Sequence, residues 1–187
     1  TITNFPIDAK QVKIQLTEGS LIDKSDNKSR TTEFLVYNTL ISTATETEEG
    51  SSFLAEIVQE GKTAIERQDI EKVIFVNSTE GSTATGVQNV WDVSAQRDNS
   101  IIAWYSEAEA PYTVYIGSND DIYGNVDSSY LFSYIGYSAN CTDTDVVEGL
   151  NLLHTENVTN MSYMFNNFGY RKLATLDLGA FDTSKVT

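Results

Sequence analysis

The chain holds one histidine, His154, and one cysteine, Cys141, and these bound the nucleophilic chemistry open to it. A Ser-His-Asp triad needs an imidazole within reach of a hydroxyl and held in place by a carboxylate. His154 stands in Leu153-His-Thr-Glu-Asn-Val-Thr159. It occupies the place that Asp182 takes in the similar phrase Phe181-Asp-Thr-Ser-Lys-Val-Thr187, so a structural turn role is expected for it. Cys141 lies in the polar stretch SANCTDTD with no basic neighbour to lower its pKa, and it reads as a neutral, exposed thiol. A single cysteine excludes an intrachain disulfide and a zinc site of clustered thiolates.

Carboxylates are plentiful, and one phrase, SNDDIYGNVD at 118–127, has the look of an oxygen-rich cation loop. With Gly124 as the sixth residue of an EF-hand loop, positions five and twelve fall on Tyr123 and Tyr130, which breaks that pattern. Asn119, Asp120, Asp121, Asn125 and Asp127 still offer oxygens for an irregular calcium site. The competing reading is a hydrogen-bonded Asx turn. A glycosidase needs two carboxyls set across a cleft, and nothing singles out two among the 27 acidic residues. There is no phosphate-cradling glycine loop and no basic-aromatic patch.

Net charge narrows the partners. Twelve Lys and Arg against 27 Asp and Glu leave −15. Nucleic acid and anionic membrane surfaces would be repelled, since binding either requires cations that displace counterions. No apolar run reaches the roughly 20 residues of a membrane-spanning helix. A hydrophobic fraction of 40% over 187 residues is enough to bury a core without disulfides or metal.

The elements that would position these residues read as follows. QVKIQLTE alternates apolar and polar residues, the period of a half-buried strand, and EFLVYNTLIST is a second strand. SSFLAEIVQEGKTAIERQ, residues 51–68, has Phe53, Leu54, Ile57, Val58 and Ile65 at helical spacing behind a serine cap. IEKVIFV at 70–76 is a buried strand; WDVS and SIIAWYS are strands around the turn AQRDN; YTVYIGS at 112–118 is another. The fold class expected is α+β, a β-rich N-terminal region with one helix leading into repeated units. Three segments divide the chain: 1–69, the least readable; 70–128, β-rich; and 129–187, repetitive.

The repetition is direct. SYLFSYIGY begins at Ser129 and SYMFNNFGY begins 33 residues later at Ser162, and the two share five identities. Val147-x-x-Leu150-x-Leu152 matches Leu173-x-x-Leu176-x-Leu178, and the phrases ending at Thr159 and Thr187 match as well. Repeats of this length belong to solenoids, in which one unit cannot enclose its own apolar face and stacked units can. L-x-x-L-x-L is expected as a strand with Leu176 and Leu178 on one face and Asp177 on the other. Val158, Met161, Met164, Phe165 and Phe168, spaced by three and four, suit a helical or 3₁₀ turn, with both methionines as core filler.

The phrases HTENVTNMSYMF and LATLDLGAFDTSKVT resemble the BspA-like leucine-rich-repeat family of bacterial surface proteins, whose units carry D-T-S-x-V-T-x-M-x-x-M-F. Asp182, Thr183, Ser184, Val186 and Thr187 match the first half of that phrase. Val158, Thr159, Met161, Met164 and Phe165 match the second half one unit earlier, with His154 and Glu156 as departures. The specific likeness covers about 130–187.

The resemblance implies a leucine-rich-repeat-like solenoid and a cell-surface or secreted location. It also implies a non-catalytic role in adhesion to a protein or glycan on a host or neighbouring cell. It further implies that a following unit is missing after Thr187. Thr175, Asp177, Tyr163 and Tyr170 are the expected contact residues, tyrosine because it offers rigid area with one polar tip. A structural stalk or capping unit is the alternative, and a glycan-active enzyme a second.

Overall fold

The structure, a computed structural model, describes residues 11–16, 32–40, 65–170, 173 and 175–187, with the backbone alone at 11–16 and 32–36. It is a small mixed domain of several β-strands and short helical turns. β1 (Gln11–Leu16) pairs antiparallel with β2 (Thr32–Tyr37), in register Val12↔Val36 and Ile14↔Phe34. The helix expected over 51–68 falls mainly on 51–64, outside the described residues. Its last turn differs from expectation: Glu66 is extended at φ −83°, ψ 145°, and Arg67–Asp69 form a single 3₁₀ turn.

The sheet at the centre has five strands. β3 (Ile70–Val76), β4 (Asn89–Asp92), β5 (Ile102–Tyr105), β6 (Tyr112–Gly117) and β8 (Val147–Glu148) run in the order β4-β5-β6-β3-β8. β4, β5 and β6 are antiparallel neighbours, whereas β3 lies parallel to both β6 and β8. Ile70, Val73 and Phe75 of β3 are buried, as its apolar composition demands of a strand with neighbours on both edges. Both tryptophans are buried, but on opposite faces of the sheet: Trp91 meets the edge of Tyr105 at 6.0 Å within the core, and Trp104 stacks on Tyr115 at 5.5 Å on the other face, beside Gly81 and Gly117. The turn between β4 and β5 is built by side chains. Asp92 accepts hydrogen bonds from the Ser94 amide and hydroxyl and from the Asn99 amide, which frees Arg97 and Asn99 to take positive φ.

β7 (Ile122–Tyr123) and β9 (Leu153–His154) pair in parallel, Ile122↔Leu153 and Tyr123↔His154. Asn38–Leu40 continues this ladder: the Leu40 amide donates to Tyr123 O, and the Tyr123 amide donates to Asn38 O, each at 2.9 Å. One apolar cluster joins the sheet to the rest, from Leu40 through Phe75 and Ile116 to Phe132, Met164 and Phe168.

The look-alike passages lie against each other in register. The amides of Ser128, Tyr130, Phe132 and Tyr134 donate to the carbonyls of Asn160, Ser162, Met164 and Asn166 at 2.8–3.1 Å. Within each passage the backbone makes the same turns. Leu131, Ser133 and Ile135 donate three residues back, as do Met164, Asn166 and Phe168. Positive φ recurs at an interval of 33: Tyr130 and Tyr163, Tyr134 and Asn167, Gly136 and Gly169. These passages are therefore chains of tight turns with the three-residue closure of the 3₁₀ turn that the spacing suits, and a left-handed residue every few positions prevents them from continuing as a helix. Further along, Thr159 donates to Val126 O and Thr187 donates to Thr159 O.

The L-x-x-L-x-L phrase departs from expectation. Its first copy is not one strand: β8 ends at Glu148, Gly149 turns the chain at φ +73°, and Leu150–Leu152 form a 3₁₀ turn. A side chain at Gly149 would collide with the Phe75 carbonyl, so the close approach to β3 imposes both the glycine and the turn. In the second copy the described residues take no strand pairing. Leu176 packs against the core, and Leu178 is 38% exposed.

Candidate functional site

Stacking of the two passages generates an aromatic face. Tyr163 lies over Tyr130 at 5.1 Å with the rings 13° apart, and Tyr170 lies over Tyr137 at 5.0 Å and 28°. Phe165 lies over Phe132 in the same way at 5.4 Å on the buried side. Alternate residues of the passage thus send one ring inward and one outward. Tyr163 is 60% exposed and Tyr170 44%. Both expected tyrosines therefore belong to this face.

Thr175 and Asp177 are exposed but belong elsewhere. They line a shallow, acidic hollow with Asp145, Glu148 and Asn151, beside β8. Lys72 of β3 stands near this hollow, 2.7 Å from both Asp143 and Glu148. Burial works against its charge, but the hydrogen bonds that it donates to the two carboxylates outweigh it and hold the ammonium above its ordinary pKa. The four expected contact residues are thus divided between two surfaces.

A groove that the sequence reading missed opens beside Tyr163. Met161, Phe165, Leu178 and Phe181 line it together with Asn166 and Thr183. Leu178 was readable only as an inward-facing strand residue, and nothing in its spacing marks it as the wall of an open groove.

Within the oxygen-rich phrase, the Asn119, Asn125 and Asp127 side chains are engaged in hydrogen-bonded turns and loop contacts. Asp127 accepts bonds from the Ser129 amide (3.0 Å) and hydroxyl (2.7 Å) on one oxygen and from the Asn160 amide side chain (3.1 Å) on the other. The Ser129 hydroxyl is the main reason that its pKa is held low. Asn125 donates to Leu40 O and accepts from the Asp127 amide; Asn119 bonds with Thr79; the Asp120 amide donates to the Ser118 hydroxyl. Asp121 precedes β7, and its carbonyl accepts from Asn38. Among the described residues no group of three or more His, Cys, Asp or Glu side chains is placed to hold a metal ion.

Cys141 is a correction. It is 1% exposed, with its thiol 3.6 Å from Gln68 O. The loop around it is polar, yet it is pinned to β3: Glu71 accepts from the Thr142 amide and hydroxyl and from the Asp143 amide, which folds the cysteine inward. His154 is not in a turn but in β9, stacked on Tyr123 at 4.9 Å and 3.8 Å from the Glu156 carboxylate. Asp98, Asp127, Asp143 and Asp182 have pKa values displaced downward. That is the direction of a structural, hydrogen-bonded carboxylate and opposite to that of a general acid.

Comparison of the chain with protein-family models, with curated proteins and with solved structures found no match. Among the described residues no helix is long and apolar enough to cross a membrane.

Proposed function

We propose that this chain is an interaction module of a bacterial cell-surface or secreted protein, built on the first units of a leucine-rich-repeat-like solenoid and acting in adhesion without catalysis. The observation that carries the reading is the pair of solvent-facing tyrosines, Tyr163 and Tyr170, each held flat by the tyrosine beneath it. A preorganised ring contributes contact area while losing little entropy on binding, which suits a protein or glycan ligand. The resemblance of 154–187 to the BspA-like phrase supplies the location.

The test is saturable binding of the labelled chain to host or neighbouring cells, compared with Tyr163→Ser/Tyr170→Ser. At least about tenfold weaker binding, the loss of a central aromatic contact, is expected with the melting temperature unchanged. Equal binding by the double variant would overturn the assignment of this face. A second reading, a stalk or capping unit, is favoured by the stacking itself, since rings that brace adjacent layers serve stiffness as well as contact. Adhesion by the parent protein after replacement of this segment with an inert spacer would decide for it.

A further inference from the structure

The chain's ten tyrosines are not equivalent toward oxidation. Among the described residues, tyrosine rings meet tyrosine rings at five places. Three of these contacts are tilted, by 54–60°, and each has one buried member: Tyr123, Tyr105 or Tyr134. The other two join the stacked passages. Tyr130 meets Tyr163 at 5.1 Å and 13°, and Tyr137 meets Tyr170 at 5.0 Å and 28°. In these two pairs both rings reach solvent, since Tyr163 and Tyr170 are exposed and Tyr130 and Tyr137 are half-buried. The other side chains that surrender a single electron readily are withdrawn: Cys141, Trp91 and Trp104 are all buried.

We infer that Tyr130–Tyr163 and Tyr137–Tyr170 are sites of oxidative cross-linking. The oxidant is of the one-electron class, a haem peroxidase supplied with hydrogen peroxide. It converts each pair to a dityrosine and ties the first passage covalently to the second. Each phenol gives up one electron and its hydroxyl proton. The two phenoxyl radicals form one carbon–carbon bond between ring positions ortho to the oxygens, and the ring protons displaced there return to the oxygens. The peroxide takes up the two electrons and two protons and leaves as two molecules of water. Both radicals sit on one chain at ring-contact distance, so their coupling needs no diffusional encounter. Coupling requires the rings to pass from face-on to edge-on, and the exposed ring of each pair has room to turn. The link does what a disulfide would do, which a chain with a single cysteine cannot form: it ties residues 33 positions apart and so restricts the unfolded chain. It requires no ligand and stands independently of the adhesion reading.

The test treats the whole chain with a haem peroxidase and limiting hydrogen peroxide. Dityrosine fluorescence should appear while the chain stays monomeric, with a yield per chain that is unchanged over an about tenfold range of protein concentration. Mass spectrometry of proteolytic peptides should assign the links to Tyr130–Tyr163 and Tyr137–Tyr170, each lighter by two hydrogen atoms. Tyr163→Phe/Tyr170→Phe keeps the ring contacts but removes the hydroxyls that make phenoxyl radicals. It should leave the melting temperature of the untreated chain unchanged and cut the yield at least about tenfold. The cross-linked parent should melt at least about 5 °C above the untreated chain. Absence of dityrosine, links only between chains, links at other tyrosines, or an equal yield from the double variant would overturn the assignment of these pairs. An unchanged melting temperature after cross-linking would overturn the bracing of one passage by the other.

Discussion

Arg67 is the residue whose removal most directly tests how the layers are held. Its side chain is fully buried, and it is the donor to the Leu131 and Ser133 carbonyls; Tyr130 O also receives the Ser133 amide. In Arg67→Met the apolar stem is retained and two buried carbonyls lose a donor. At about 1–3 kcal/mol for each orphaned group, partly offset by no longer burying a charge, the expected loss is about 2–3 kcal/mol. Arg67→Ala adds a cavity and should lose about 3–5 kcal/mol. A loss of about 3 kcal/mol is roughly a 150-fold change in the unfolding equilibrium, and it lowers the melting temperature by roughly 6–12 °C in a domain of this size. Urea unfolding followed by tryptophan fluorescence reports it, because Trp91 and Trp104 are both buried. The midpoint should fall with little change in slope. A loss below about 1 kcal/mol in both variants would refute the reasoning, since buried carbonyls left without donors cannot be that inexpensive.

Gly149→Ala should destabilise by about 2 kcal/mol or more, by forcing a left-handed φ on a residue with a Cβ and driving that atom into the Phe75 carbonyl; the same urea melts measure it. Native Cys141 should react with a thiol reagent at least about 100-fold more slowly than in the denatured chain, and a fast native reaction would contradict its burial. Asp127 and Asp143 have depressed folded-state pKa values, Asp127 chiefly through the Ser129 hydroxyl and Asp143 chiefly through Lys72. The stability they contribute is therefore present above the unfolded carboxyl range and lost as pH falls through about 4 toward the folded values. Melting temperature against pH should drop below about pH 4, and Asp127→Asn/Asp143→Asn should flatten that drop. A double variant with the same acid profile as the parent would remove these two carboxylates from the account.

Much of the sheet was legible because β3, β4, β5 and β6 announce themselves by β-branched and aromatic runs between polar turns. The register of 129–137 on 162–170 was legible for another reason: a repeated phrase makes repeated turns, and identical turns stack. Other features were not. Gly149 interrupts an apparent leucine strand because β3 passes too close for a side chain, and the chain distance to Phe75 hides that. Cys141 is drawn inward by Glu71, about 70 positions away in the chain, a contact that composition cannot register.

The amino-acid order by itself determined that 129–187 would be repetitive and that tyrosine and phenylalanine would recur at matching places in each unit, since period and side-chain chemistry are local properties. It also set the acidic balance that disfavours polyanionic partners. Only the tertiary structure decided which tyrosines face solvent and that Arg67 donates to the Tyr130, Leu131 and Ser133 carbonyls from beneath the stack. Those outcomes depend on which backbone lies against which, and that is settled by packing across the whole core, not by neighbours in the chain.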